Sequence, residues 1–201
     1  MVVLQKLQHM PSFNIQELIS SLQQDVQETL LQLDKVQQIP ADVLLQQPEA
    51  GKWSIAQVLE HLNGYNRFYL AAIEKALNNP TQQAPRTYKA GWFGDYFTRL
   101  MEPRPDGSLA KKMSAPAAYN FGPELDAEQV LNEFREGQRK LLSLLDKART
   151  ADLGGIKVPI SISKLIKLKL GDVFRFVIAH QFRHFQQINR VKQQVYLQRA
   201  A

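Results

Sequence analysis

The chain has no cysteine among its 201 residues. This absence excludes a disulfide-stapled scaffold, a thiolate zinc finger, an iron–sulfur protein and a cysteine nucleophile. The softer metal ligands are therefore limited to four histidines. No segment approaches the ~20 consecutive apolar residues that cross a bilayer, and the N-terminus has neither the apolar stretch nor the cleavage site of a secretory signal. We therefore expect a cytoplasmic protein without a membrane partner.

The charge excess is modest, with 25 Lys+Arg against 19 Asp+Glu and a net charge of +6. A basic chain indicates a nucleic-acid partner only where the charge is clustered. One cluster is present, at Lys157, Lys164, Lys167, Lys169 and Arg175. We interpret it as a solvated face, with a phosphate, a nucleic acid or the carboxylates of a thiol as alternative ligands. Helix-turn-helix, zinc-finger, RRM, KH, Walker-A, dinucleotide and nucleophile-elbow motifs are all absent, so we expect no nucleic-acid partner.

Four long segments have the periodicity of amphipathic helices. The apolar stripes predict helices over about 14–39, 54–77, 126–148 and 172–197. The first three begin with polar pairs at capping spacing, Asn14 with Glu17, Ser54 with Gln57 and Asp126 with Gln129. A chain of 23.0 kDa with 44% hydrophobic and 22% charged residues has the size and composition of one globular domain. We predict a single all-α domain over 1–201, a four-helix bundle, with residues 1–11 flexible.

The second and third helices are joined by a long crossover, residues 80–125, which holds six of the ten prolines. We expect this crossover to be partly ordered, to include a short helix over 90–101 and to pack on one end of the bundle. Its aromatic residues are either the roof of a pocket or simple packing; they are Trp92, Phe93, Tyr96 and Phe97. Residues 156–170 are compatible with a short strand or a short helix. We find no alternation long enough to build a sheet.

Three of the four histidines are predicted to face the core. His180 and His184 are four residues apart, so on a helix they project from one face. That face coincides with the apolar stripe of the fourth helix, and His61 lies within the stripe of the second. The zincin glutamate is absent because Gln181 follows His180. His9 precedes the first helix, and we interpret it as a surface residue.

Two interpretations of the buried histidines compete. In one, each is a core residue with its own hydrogen-bond partner. In the other, one divalent metal satisfies all three imidazoles, which would otherwise be costly to bury in helix interiors with few free backbone groups. Three neutral nitrogen ligands suit zinc, nickel, copper or iron but not calcium or magnesium. Three protein ligands also leave an open coordination position, as in catalytic sites.

Two segments resemble motifs of the DinB/YfiT-like superfamily. KWSIAQVLEHL, residues 52–62, is similar to the family's second-helix motif, in which a Trp precedes the helix and a His-Leu pair follows. FVIAHQFRHFQQINR, residues 176–190, is similar to the fourth-helix motif, His-x-x-Arg-His followed by Gln-Ile. The resemblance implies an up-down-down-up four-helix bundle with a long crossover between helices two and three. It implies a metal bound by His61, His180 and His184, with zinc and nickel as the leading candidates.

The resemblance also implies function classes. Characterised relatives include S-transferases and a maleylpyruvate isomerase that depend on low-molecular-weight thiols such as bacillithiol, mycothiol or glutathione. Others carry the label metal-dependent hydrolase, and many members are dimers. We therefore predict a metal-dependent enzyme in which an activated thiol or water attacks a small electrophilic substrate, with a homodimer as one option. The competing hypothesis is a non-catalytic DinB-like metal-binding or interaction protein whose site is structural or vestigial.

Three further residues are candidates for the site. Tyr65 lies one turn beyond His61 and is either a hydrogen-bond donor to a metal-bound group or a core aromatic. Arg183, next to His184, either binds an anionic substrate group or pairs with an acid of the first helix, the second being the simpler interpretation. Gln187 lies one turn after His184 on the same face and is placed to orient it.

Overall fold

The computed structural model describes residues 10–78, 85–102 and 114–201. Four long helices account for most of the described chain, and we number all elements in chain order. The helices are α1 (Ile15–Gln37), α2 (Ala41–Leu45), α3 (Ile55–Leu77), α4 (Trp92–Met101), α5 (Ala127–Ala148) and α6 (Leu170–Ala200). A 3₁₀ turn covers Ala117–Tyr119. The strands are β1 (Ser12–Asn14), β2 (Thr87–Lys89), β3 (Lys157–Ile160) and β4 (Ser163–Lys169).

The predicted helix starts are confirmed because local capping chemistry determines them. Asn14 accepts hydrogen bonds from the first-turn amides of α1, and Asp126 accepts one at the start of α5. Ser54 and Gln57 form a complete capping box at α3, each side chain bonding the backbone amide of the other. These bonds satisfy amides that have no partner within their helix. Only α6 departs from its predicted start, beginning two residues earlier at Leu170.

Polar contacts between neighbouring long helices show whether the two helices run parallel or antiparallel. Residue numbers rise together between α3 and α5, from Asn63 with Val130, through Arg67 with Glu133, to Glu74 with Lys140. They run in opposite senses between α1 and α5, where Asp34 meets Arg135 and Ser20 meets Arg149. The senses are also opposite between α3 and α6, where His61 meets His180 and Tyr69 meets Phe176. Each of the four long helices packs against two of the others.

The buried core consists of two apolar clusters with polar residues between them. One cluster surrounds Val26, Tyr69 and Leu141, and the other surrounds Leu33, Leu59 and Phe134. On α6 the first cluster ends at Ile178 and the second begins at Phe185. Buried polar side chains of all four long helices occupy the intervening level; they are Thr29, Asn63, Asn66, Gln138, His180, Gln181 and His184. The fold therefore places the histidines in the middle of the bundle.

The expectation that no sheet would form is wrong, because two antiparallel ribbons of two strands each are present. In one, β1 pairs with β2, joining segments more than 70 residues apart, so no local pattern predicts it. In the other, β3 pairs with β4, which confirms the strand alternative for 156–170. The alternation of a half-buried strand is limited to the base of this ribbon, where Lys157 and Lys167 are exposed and Val158 and Leu168 are buried. Nearer the turn, Leu165 and Ile166 are both exposed.

The crossover is partly helical, as predicted, but its position differs from the expectation. Helix α4 lies along the first half of α6 rather than on one end of the bundle, with Asp95 bonded to Arg175 and the Leu100 carbonyl near Arg183. Its aromatics stack on one another and point outward, Trp92 being 45% exposed. Phe97 is half-buried and contacts Tyr96, so the contacts among the four rings agree with the simple-packing alternative. Parts of the crossover, 79–84 and 103–113, lie outside the described residues, as do residues 1–9 and with them His9.

The basic cluster predicted from the sequence is also smaller than expected. The side chain of Arg175 is only 11% exposed because it pairs with Asp95 and packs over the ring of Phe13. It therefore belongs to the contact between α4 and α6 and not to a solvated basic face. The side chain of Lys164 lies outside the described part of the structure. Within the described residues, no helix combines the length and apolar character needed to span a membrane.

Candidate metal centre

The three predicted histidines meet in one place. The Nε2 atom of His180 lies 3.3 Å from Nε2 of His61 and 3.0 Å from Nε2 of His184. The three ligand atoms all lie within 4.8 Å of one another. His180 and His184 are brought together by one turn of α6, whereas His61 comes from α3, which packs antiparallel beside it. In the described ranges this is the one cluster of three or more histidine, aspartate or glutamate side chains with metal-site spacing.

Hydrogen bonds to the outer ring nitrogens fix which atoms face the centre. The Nδ1 of His61 lies 2.7 Å from the Tyr119 carbonyl oxygen, and the Nδ1 of His184 lies 3.0 Å from Oε1 of Gln187. Both oxygens only accept, so each Nδ1 carries the proton and donates it. The Nε2 atoms of His61 and His184 are then lone pairs aimed at the centre. Only His180 is left to supply a proton there, and it supplies one at most.

The donor set fits a divalent transition metal. Two nitrogens bound at ~2.05 Å to a tetrahedral zinc lie about 3.3 Å apart, which is close to the 3.3 and 3.0 Å that separate Nε2 of His180 from Nε2 of His61 and His184. Without a cation, the Nε2 lone pairs that face one another repel. A cation at the centre would instead bind all three Nε2 atoms. The oxygen partners of Nδ1 are the outer contacts that orient metal-bound histidines in proteins. Hard cations such as magnesium prefer oxygen ligands, which this cluster lacks.

The electrostatics favour neutral imidazoles. Burial lowers the pKa of His61 and His180 below the ordinary value, for His180 far below it. Burial, with a further contribution from the neighbouring His61, lowers the pKa of His184 to about 3. The charge of Arg183 acts in the same direction on the pKa of His180 and His184. The three imidazoles are therefore uncharged at neutral pH, which is the form that binds a metal.

Aromatic rings surround the histidines, and several of these were not predicted as site residues. The Trp53 ring lies 4.9 Å from that of His61, and Phe176 stacks on His180 at 5.8 Å and 8°. Phe176 is four residues before His180, so helical spacing could have identified it. In the sequence, Trp53 stood out only as the tryptophan that precedes the second helix in the family motif. The Tyr119 carbonyl is a backbone group in a segment without periodicity, and nothing in the sequence marks it.

The remaining candidates take different positions. Tyr65 is buried, with its ring 4.5 Å from that of His180, and burial, with Tyr69 and Tyr119 nearby, raises its pKa to about 12. Gln187 contacts His184 as described above. Arg183 is buried beside the cluster, and its Nη1 lies 3.4 Å from the Leu100 carbonyl oxygen on α4.

The histidines are nearly inaccessible to solvent, at 2% for His61, 5% for His180 and 8% for His184. A groove between α1 and α6, lined in part by Lys35, Ile39 and Phe185, contains none of them. The low exposure of the three rings limits their direct access from solvent.

The fold and the site together describe a mostly helical protein with a candidate metal centre of three histidines from two of its long helices. The family model of the DinB superfamily matches residues 22–188, which include all three histidines. The chain therefore belongs to the DinB superfamily, as the two sequence motifs predicted. No curated protein and no solved structure matches the chain significantly.

Proposed function

We propose that this chain binds one divalent transition metal, zinc or nickel, through the Nε2 atoms of His61, His180 and His184. We further propose that it is a thiol-dependent S-transferase or a hydrolase acting on a small electrophilic molecule. The observation that carries the proposal is the convergence of three Nε2 atoms. In two of these rings, His61 and His184, the outer nitrogen already donates to an oxygen acceptor. The proposal includes the up-down-down-up helix order, which the contact pairs between the long helices support.

When bound, the metal supplies Lewis acidity that makes a coordinated thiol or water a nucleophile at neutral pH. The histidines hold it, while the Tyr119 carbonyl and Gln187 keep two rings in the binding tautomer. Tyr65 keeps its proton at neutral pH because its pKa is about 12, so its proposed role is hydrogen-bond donor and not base. Arg183 would attract an anionic group of the substrate, since its charge already acts on the histidines.

A second candidate function is favoured by the burial of the site. The three imidazoles are at most 8% exposed. In this second candidate, the metal has a structural role and stabilises the bundle without taking part in a reaction. Structural zinc sites are closed, with four protein ligands, whereas this cluster offers three. The ligand count therefore supports the catalytic proposal, and the low exposure supports the structural alternative.

The two candidates are separated by one series of measurements. Purified protein is stripped with a chelator, reloaded with zinc or nickel, and its metal content is measured alongside His184→Ala. The reloaded protein is then assayed with bacillithiol, mycothiol, glutathione and coenzyme A against a generic electrophile. We expect one metal per chain in the wild type, none retained by the variant, and turnover with at least one thiol.

The control is cobalt substitution, whose visible spectrum reports a change in coordination. A catalytic centre exchanges its fourth ligand, so added thiol should shift the spectrum. A metal-loaded protein with no turnover and an unresponsive spectrum would refute the thiol-dependent form of the proposal and favour the structural alternative. Wild-type protein that retains no metal after reloading would refute both candidates.

A further inference from the structure

Residues 117–121, which we call the strap, lie directly against the part of α3 that carries His61. The strap follows the N-cap of the 3₁₀ turn, Pro116, and ends just before Gly122. Three side chains, one just before α3 and two in its first two turns, bond to three consecutive strap residues. The bonds are His61 Nδ1 to the Tyr119 carbonyl at 2.7 Å, Trp53 Nε1 to Asn120 Oδ1 at 3.0 Å, and Gln57 Nε2 to the Phe121 carbonyl at 2.9 Å.

The side chains of Tyr119 and Phe121 in the strap also pack closely against α3 at Gly64. A Cβ at Gly64 would lie 3.0 Å from Cζ of Phe121 and 3.1 Å from Cδ1 of Tyr119, closer than side chains normally approach. The Tyr119 ring also packs 4.3 Å from that of Tyr65. A methyl group at position 64 would therefore require the rings of Phe121 and Tyr119 to shift by a few tenths of an ångström.

The contact with His61 connects the strap to metal binding. With the strap in place, the Tyr119 carbonyl keeps the proton on Nδ1 and leaves Nε2 as the lone pair that faces the other histidines. Conversely, a metal on Nε2 requires the proton to stay on Nδ1 and polarises that N–H, which strengthens its bond to the carbonyl. Each event favours the other, and such coupling is reciprocal in free energy.

We propose that the strap is a positioning element of the metal centre, so that metal binding tightens the strap and a displaced strap weakens metal binding. This inference rests on the proposed metal binding. It goes beyond that proposal because it assigns a role to a crossover segment that contributes no ligand. A strap that merely covers α3 would be indifferent to the metal.

Chymotrypsin provides the first test, since Tyr119 and Phe121 are cleavage sites within the strap. Metal-free protein is digested with and without zinc, and peptides are quantified by mass spectrometry. Cleavage after Tyr196, exposed near the end of α6, is the internal control for any effect of zinc on the protease. We expect zinc to slow strap cleavage about tenfold, the size of the effects that outer contacts have on metal affinity, and to leave the control site unchanged.

His184→Ala is the matched variant for this test. It removes a metal ligand but none of the three hydrogen bonds that hold the strap. Zinc should therefore have no effect on strap cleavage in this variant. A slowing as large as in the wild type would overturn the inference.

Zinc affinity provides the second test, in variants that leave every ligand in place. Gly64→Ala pushes a methyl group against Phe121 and Tyr119, while alanine favours the helix, so the variant should fold. Gly122→Ala is the control because a Cβ there meets no atom within 4 Å. We expect zinc affinity, measured by chelator competition, to fall about tenfold in Gly64→Ala and to stay unchanged in Gly122→Ala.

The outcomes separate this inference from the proposed function. If zinc binds the wild type but neither strap cleavage nor the affinity of Gly64→Ala changes, the coupling is refuted and the metal site stands. If zinc does not bind the wild type, both proposals fail together.

Discussion

Zinc should raise the thermal stability of the metal-free protein, and this effect tests the geometry of the centre directly. In the absence of metal, the lone pairs of His61 and His184 face Nε2 of His180 at 3.3 and 3.0 Å with at most one proton among them. In the unfolded chain the three imidazoles are separate and bind a metal weakly. Zinc therefore binds the folded state preferentially and shifts the folding equilibrium toward it.

The size of the shift follows from mass action. At free zinc a hundredfold above the dissociation constant, the free energy of unfolding rises by about 2.7 kcal/mol. For a chain of this length each kcal/mol corresponds to roughly 2–4 °C in Tm. The expected increase in Tm is therefore about 5–11 °C, growing with the logarithm of the free zinc concentration.

The assay is thermal unfolding followed by circular dichroism at 222 nm, which monitors the helices. Chelated protein is compared with protein in buffered zinc and in magnesium, and His184→Ala is measured in parallel. Magnesium should leave Tm unchanged because it prefers oxygen ligands, and the variant should lose most of the zinc effect. An equal zinc effect in the variant, or no effect of any transition metal on the wild type, would refute the assignment of these three residues as ligands.

Three further predictions address the surroundings of the centre. Gln187→Ala removes the acceptor that orients His184, so zinc affinity measured by chelator competition should fall by about 10–100-fold; an unchanged affinity would show that the contact has no orienting role. In the metal-free protein, burial lowers the pKa of all three histidines relative to the unfolded chain. The free energy of unfolding should therefore decrease as pH falls below ~6.5, by up to about 1.4 kcal/mol per pH unit for each histidine. Urea unfolding between pH 7 and pH 5 measures this decrease, which should largely disappear when all three histidines are replaced with glutamine. In Gly94→Ala the new methyl group would overlap the Asp172 carboxyl group and displace α4 from α6. Urea unfolding should therefore show a loss of about 1–3 kcal/mol in the free energy of unfolding. Gly122→Ala should lose much less, and equal losses in the two variants would contradict the packing explanation.

Local chemistry explains why so much of the helical framework was predictable. Ser54 with Gln57 satisfies helix amides from three residues away, so the start of α3 is encoded within four positions. The stripes that contain His61, His180 and His184 follow from helical periodicity alone, and the structure buries all three side chains. The pairing of β1 with β2 had no such local basis, since its partners lie far apart in the chain.

The candidate site divides in the same way. His180 and His184 share one helix, so their spacing predicted that they would act together. That His61 joins them depended on the packing of α3 against α6, and the family resemblance supplied this expectation. Trp53 and Phe176 were visible in the sequence, but their contacts with the histidine rings were not.

By itself, the sequence determined the four long helices, the absence of thiolate ligands and the set of histidines that face the core, because capping and periodicity act over a few residues. Only the tertiary structure decided that three Nε2 atoms meet within 4.8 Å. It also decided that the centre is almost fully buried and that a backbone carbonyl of the crossover holds His61. These features depend on contacts between segments 58 to 119 residues apart. Such contacts form only when whole helices and loops pack together, so no local sequence pattern predicts them.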